Sequence, residues 1–292
     1  MERDTIIIVE GGTIQGVFSA GVLTPLQEHN FYPRIHSVYA VSSGSHNAAY
    51  FLAKNIEVSS TLYCDYLAKR HAFFKHLSAK VIIKKLWRLA RYRESFDIID
   101  LAYVEDIERN IMPMDAETIK NSPIKFYVRV FDPKTKKTKY LDAKEDTITR
   151  CIQSSKVPPY AYSNAKEDVY FDGGIMPCKD FLKTVKANPD KKIIYIFNDK
   201  KTPKRVTRYI MSDLLDILFK TVYLGLDYGL KHLFNIYNYT YVHDLKKYKN
   251  VHILYDETGN SKREKNVEKI TEAFELGKKK GEQLLKDINF IK

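Results

Sequence analysis

No apolar run in this chain approaches the roughly 20 residues that a helix needs to cross a bilayer. The most apolar stretch, Met211 to Tyr239, is interrupted by Asp213, Asp216, Lys220 and Asp227. Cysteine is scarce. Cys64, Cys151 and Cys178 are odd in number and far apart, which argues against a disulfide framework and against a zinc-site spacing. A reducing, cytoplasmic setting is the expectation, with no metal and no cofactor. The first residues, Met-Glu-Arg-Asp, lead straight into a short apolar segment, so no cleavable signal is expected. The sequence also lacks internal repeats, a Gly/Ser-rich linker and any Arg/aromatic or zinc-finger pattern for nucleic acid.

What is present fits a folded α/β protein. At 292 residues and 44% apolar composition, the chain has enough apolar material for a substantial core. A net charge of +12 attracts polyanions such as anionic membranes. Lysines are densest near the end, at Lys246, Lys247 and Lys249, then Lys262 and Lys265, then Lys278 to Lys280. A solvated lysine-rich surface accounts for most of this, and a nucleic-acid reading would rest on charge alone.

Thr5 to Val9 is a continuous β-branched run, as expected of a strand buried on both faces. A glycine loop and a helix near Val17 to Glu28 follow. Ser37 to Val41 reads as a second strand, running without spacer into a helix from Ser43 to about Ala53. This alternation predicts βαβ units and a parallel sheet. Further strands are expected at Ile124 to Val130, Thr138 to Leu141, Lys192 to Phe197 and Val251 to Tyr255. Helices are expected over 144–155 and Val267 to Ile288, with helical insertions at about 56–112 and 206–236. One domain over 1–292 is the simplest account: a core of about 4–200, then a C-terminal extension over 201–292 with a last strand and helix.

Three segments carry chemistry. Ala40-Val41-Ser42-Ser43-Gly44 fits a serine on a sharp strand-to-helix turn, with small Ala40 and Gly44 on either side. The same serine also reads as an ordinary helix N-cap. Tyr170-Phe171-Asp172-Gly173-Gly174 ends an apolar run with a carboxylate that could take the serine proton directly, given a raised pKa. It also reads as a plain Asp-Gly-Gly turn. Glu10-Gly11-Gly12-Thr13-Ile14-Gln15-Gly16 has neither dinucleotide spacing nor a P-loop ending, but its N–H groups at a helix start suit an oxyanion hole. None of the eight histidines has a recommending context. His46 lies one turn beyond Ser42 and is expected to point along the helix flank, as a surface or packing residue.

In this order and spacing, the three segments resemble the patatin-like phospholipase family. Gln153-Ser154-Ser155-Lys156-Val157-Pro158-Pro159, ahead of the aspartate turn, adds to the resemblance. So does the tail from Val251 to Tyr255 and Glu268 to Lys279. The resemblance implies a three-layer α/β/α sandwich and a Ser–Asp dyad without histidine. Ser42 would be the nucleophile and Asp172 the base. Gly11, Gly12, Thr13 and Gly16 would form the oxyanion loop, and Ala40, Gly44, Gly173 and Gly174 the elbow and aspartate turn. The implied activity is hydrolysis of phospholipids or other lipid esters. The chain departs from the family at three places. Thr13 replaces a third glycine, Ala40 replaces the first elbow glycine, and Gln15 stands where a basic residue is usual. Gln15 is expected to remove a positive charge near the oxyanion. A catalytically weakened relative that binds lipid or a partner is the alternative.

Two segments suit an interface. Ala79 to Arg93 alternates Lys80, Lys84, Lys85, Arg88 and Arg91 with Ile82, Ile83, Leu86, Trp87 and Leu89, a basic amphipathic helix able to lie on a membrane surface. Met211 to Phe234 could form a lid or a substrate wall.

Overall fold

The computed structural model describes residues 2–68, 87, 91, 99–157, 170–175, 178–199 and 240–291. Among them, seven strands form one sheet. In chain order they are β1 (Thr5–Val9), β2 (Ile35–Ala40), β3 (Lys125–Asp132), β4 (Lys137–Asp142), β5 (Phe171–Asp172), β6 (Lys192–Phe197) and β7 (Val251–Tyr255). The spatial order is β4-β3-β2-β1-β6-β7. β1 is central and parallel to both neighbours, and only β4 and β5 run antiparallel to their partner β3.

All five residues of β1 are buried because both faces of the sheet are covered. Ile7 and Val9 join a core with α1 (Val17–Glu28), α2 (Ser43–Leu52), α3 (Thr147–Ser154) and, later in the chain, α6 (Val267–Asp287). Ile6 and Ile8 face the opposite way, into a second core with α4 (Phe181–Ala187) and α5 (Thr240–Leu245). The result is the expected three-layer α/β/α sandwich. The apolar stripe of α6 meets α1 backbone to backbone. A Cβ added to Gly21 would lie 2.1 Å from the Phe274 carbonyl oxygen, and one on Gly277 would lie 2.3 Å from that of Phe18.

Two consequences of the topology position the site. The chain winds from β1 out to β3, then returns to add β6 and β7 on the other side. The switch point of such a sheet, where ligands are often placed, therefore lies at the C-terminal ends of β1 and β6, and the cleft with Ser42 opens beside it, past the ends of β1 and β2. The second concerns length. β2 ends at Ala40, opposite Val128, whereas β3 runs on to Asp132. The uncovered edge of β3 takes up β5, with Asp172 opposite Val130 and Phe171 opposite Phe131. β5 thus occupies the lane that β2 vacates.

Sequence boundaries moved by one to three residues at several elements. The second strand starts at Ile35 and stops at Ala40. β3 extends past Val130 because β4 pairs with it as far as Asp132–Lys137. The helix expected from 144 begins only at Thr147. Within the first insertion, Val58–Thr61 and Leu101–Asp106 are α-helical, and each leads into a wider π-type segment, Leu62–Ala68 and Ile107–Ile111. The segment 206–236, Pro158-Pro159 and the expected lid lie outside the described residues. Of the amphipathic stretch 79–93, only Trp87 and Arg91 are described. Trp87 is 56% exposed, with the Arg91 guanidinium 5.7 Å from its ring centroid. No helix among the described residues is long and apolar enough to cross a membrane.

Candidate active site

Ser42 sits where β2 gives way to α2, at φ 52° and ψ −134°. Residues with a Cβ avoid this region, and one is held there only when its surroundings fix it. Three contacts do so. The Ser42 N–H donates to Ser154 Oγ at 2.8 Å, and Val41 N–H donates to the Val9 carbonyl at 3.1 Å. Gly44 lies so close to β1 that a Cβ there would stand 2.5 Å from the Glu10 carbonyl oxygen. Ala40 is fully buried between Val9 and Val128. Although Ser42 occupies the N-cap position of α2, its side chain makes no capping hydrogen bond. The hydroxyl lies near enough to the Asp172 carboxyl to oppose the rise in its pKa.

Asp172 is buried, and burial raises its carboxyl above the ordinary value. Hydrogen bonding from Ser42 and from the Gly174 N–H opposes that shift without cancelling it, as do the charges of Lys262 and Arg129. The Gly174 N–H reaches Asp172 Oδ1 at 2.6 Å, so the carboxylate closes its own turn as well as facing the serine. Arg129 ties the two motifs together. Its guanidinium, 1% exposed, holds Asp180 through Nε at 2.8 Å and donates to the Gly173 carbonyl. Its own carbonyl accepts the Ser154 hydroxyl at 2.7 Å, and Ser154 in turn accepts the Ser42 N–H. One buried residue of β3 thus grips the aspartate turn with its side chain and the serine elbow with its backbone.

The glycine loop lies over Ser42. A Cβ on Gly11 would stand 2.6 Å from that of Ser42, so only glycine lets the loop backbone come this close. Gly11, Gly12 and Thr13 are half-buried, and Thr13 borders the same cleft as Ser42. Thr13 has φ 55°, a conformation that a β-branched residue adopts only under strain and glycine adopts freely. Gly16 lies a turn further in. Its carbonyl accepts from Asn47 Nδ2 at 2.7 Å and from Ser19 Oγ at 2.8 Å, and a Cβ there would meet Tyr63 Oη. Asn198, just after β6, donates to the Glu10 carbonyl and accepts the Ser19 N–H at 3.0 Å. It pins the loop to α1, a role no sequence pattern marked.

Gln15 corrects an expectation. Its side chain is 2% exposed, and its Nε2 donates to the Asn260 carbonyl at 2.6 Å. It anchors the loop to a distant segment and leaves no space for a solvated cation. His46 is a second correction. It is a buried member of the cleft that holds Ser42, and it is neither a surface residue nor simple packing. Its Nδ1 meets Glu108, and its Nε2 lies 2.9 Å from Ser155 Oγ. The spacing of four from Ser42 puts both residues on one helix face, which is the signal that could have found it. Glu108 carries no such signal.

The cleft has apolar lining from Leu62, Leu67, Leu101 and Val104 and polar lining that includes Thr13, Ser42, His46, Glu108 and Ser155. Both π-type segments border it, Leu62 and Leu67 on one and Glu108 on the other.

Fold and site together define a doubly wound α/β protein in which a strained serine elbow faces a buried carboxyl across a sheet edge. No family model matches the sequence, and no curated protein does. Among solved structures the chain is similar to VipD from Legionella pneumophila, with 14% identity and a TM-score of 0.48. That likeness covers 98% of this chain and 67% of VipD. It is also similar to full-length ExoU from the type III secretion system of Pseudomonas aeruginosa, in complex with full-length SpcU, with 13% identity and a TM-score of 0.33. Here the chain covers about half of the other protein, 53%, with 80% of its own length.

Proposed function

We propose that this chain is a serine acyl hydrolase of the patatin-like phospholipase kind, cleaving phospholipids or other lipid esters without a metal or cofactor. Residues 1–292 act as one domain. The observation that carries the reading is the released Ser42 hydroxyl. It stands on a strained elbow, caps nothing, and meets a buried carboxyl whose pKa is raised.

In this reading Ser42 Oγ attacks the ester carbonyl as its proton passes to Asp172. N–H groups of the Gly11-Gly12-Thr13 loop receive the oxyanion, each contributing about 2.7–4 kcal/mol to lowering the barrier. The leaving alcohol takes the proton from Asp172. Water, deprotonated by the same carboxylate, then frees the acid. Histidine has no part in the cycle. The apolar lining of the cleft suits an acyl chain. The net charge of +12 favours peripheral contact with anionic membrane surfaces. The cytoplasmic setting rests on the three scattered cysteines, and a nucleic-acid partner is set aside because no Arg/aromatic or zinc-finger pattern accompanies the charge.

A second reading, a weakened relative that binds lipid without efficient turnover, is favoured by the strained Thr13 in the oxyanion loop. Hydrolysis of a p-nitrophenyl ester and of phospholipid vesicles, compared in wild type, Ser42→Ala and Asp172→Asn, separates the two. A large loss of turnover in both variants supports the first reading. A wild type that binds vesicles but turns over neither substrate supports the second.

A further inference from the structure

The cleft contains a second hydrogen-bonded series that the Ser42–Asp172 pair does not use. Ser155 ends α3, one residue beyond the Ser154 that holds the elbow. Its Oγ lies 2.9 Å from His46 Nε2. The other ring nitrogen, Nδ1, meets the Glu108 carboxylate. Glu108 is fully buried, Ser155 is 9% exposed, and all three border the cleft.

The chemistry of this series follows from who faces whom. A carboxylate at Nδ1 keeps the proton on that nitrogen and leaves Nε2 as an acceptor. The group that Nε2 faces is a serine hydroxyl. Nucleophile, base and orienting carboxylate are then arranged as in a Ser–His–acid triad, which is recognised by geometry and roles and not by chain order. Glu108 belongs to the π-type segment Ile107–Ile111, and such widened turns recur at functional sites. The other oxygen of Glu108, Oε2, is buried without a hydrogen-bond partner. A carboxylate kept in that state disfavours a purely structural role, because an unsatisfied buried charge is destabilising. It becomes useful when the neighbouring imidazole turns cationic.

We propose that Ser155, His46 and Glu108 form a second serine centre in the same cleft, reactive toward carboxylic esters with an apolar acyl chain. Ser155 Oγ forms a bond to the acyl carbon while its proton moves to His46 Nε2. The C–O bond to the alcohol breaks and the alcohol leaves with that proton. Water, deprotonated at the same nitrogen, hydrolyses the acyl–Ser155 ester and releases the acid. Glu108 acts through His46 as a positioning residue. Ser43, at the start of α2, borders the cleft beside it, and the positive end of that helix favours the developing oxyanion. This centre does not depend on Ser42.

The test uses the full chain and a fluorophosphonate with a long alkyl tail, with the labelled serine located by peptide mass spectrometry. In Ser42→Ala protein the expected label is on Ser155, where Oγ displaces fluoride as His46 takes the proton. Adding His46→Gln should slow that labelling by about 10²- to 10⁴-fold, the usual range for a general base. Glu108→Gln, equal in size but uncharged, should slow it less, and Glu108→Asp should restore part of the rate. Thermal unfolding confirms that each variant is folded, and His46→Asn replaces His46→Gln if the latter is not. An unlabelled Ser155 in folded Ser42→Ala protein overturns the proposal, as does labelling at an unchanged rate without His46. Otherwise wild-type protein distinguishes the two centres. Label on Ser42 alone removes this proposal and keeps the reading above, and label on Ser155 alone does the reverse.

Discussion

Replacing Ser42 by glycine should remove the ester turnover that runs through Ser42 and leave the protein more stable than replacing it by alanine. Both substitutions remove the hydroxyl that faces Asp172, so their difference isolates the backbone. At φ 52° and ψ −134°, a residue with a Cβ carries strain of about 1–3 kcal/mol. Alanine keeps that strain and glycine abolishes it. Glycine also gives the unfolded chain more freedom, which takes back about 0.4–1 kcal/mol. The net advantage of Ser42→Gly over Ser42→Ala is therefore about 1 kcal/mol, with a ceiling of about 2.6. In a chain of this size that is about 1–3 °C in Tm. Urea titration is the better assay, because a shift in midpoint at constant slope reads stability directly. If Ser42→Gly proves equal to or less stable than Ser42→Ala, the elbow is not strained as described, and the argument from a held, non-capping serine fails.

Three further outcomes follow from the same geometry. Asp172 has a folded-state pKa raised above its unfolded value, so its contribution to stability is fully present below about pH 3.9 and is lost as pH rises through the raised value. Asp172→Asn should accordingly lose the turnover that runs through Ser42 yet be more stable than wild type at neutral pH, with the two thermal curves converging in acid; an advantage that grows in acid would refute the burial argument. Arg129→Met takes the guanidinium from Asp180 and frees the Gly173 carbonyl, while the backbone carbonyl that holds the elbow stays in place. It should lower stability by about 3–5 kcal/mol in urea titration, whereas a loss under about 1 kcal/mol would show that the site is held elsewhere. Gln15→Arg must bury a guanidinium against the Asn260 carbonyl, so it should lose about 1–3 kcal/mol of stability with no rise in kcat on a soluble ester.

Much of this was legible because it is local. The β-branched run of β1 and the small residues Ala40 and Gly44 report backbone conformation and close approach, which side-chain size alone encodes. Asp172 could be offered as a proton acceptor for Ser42 from its context and singled out by the resemblance, but that β5 joins β3 in the lane left by β2 is announced by no periodicity. The roles of Gln15, Asn198 and Glu108 were not legible. Each depends on a partner 245, 179 or 62 positions away, and a buried hydrogen bond leaves no mark on local pattern. His46 lay between these cases. Its face of α2 could be read from spacing, but what that face looked onto could not.

The anchoring of Gln15 by Asn260 sets a clock on the birth of this site. Ile14 N–H also reaches across to the Lys262 carbonyl, at 3.4 Å, and Asn260 is itself tied to Lys269 at the start of α6. A growing polypeptide therefore owns its serine elbow long before it owns the segment that locks the loop above it. At about 5–20 residues per second, the 245 positions between Gln15 and Asn260 take on the order of 12–50 s to synthesise. Throughout that interval the loop over Ser42 lacks its brace, which arrives only once Asn260 and Lys262 have been made.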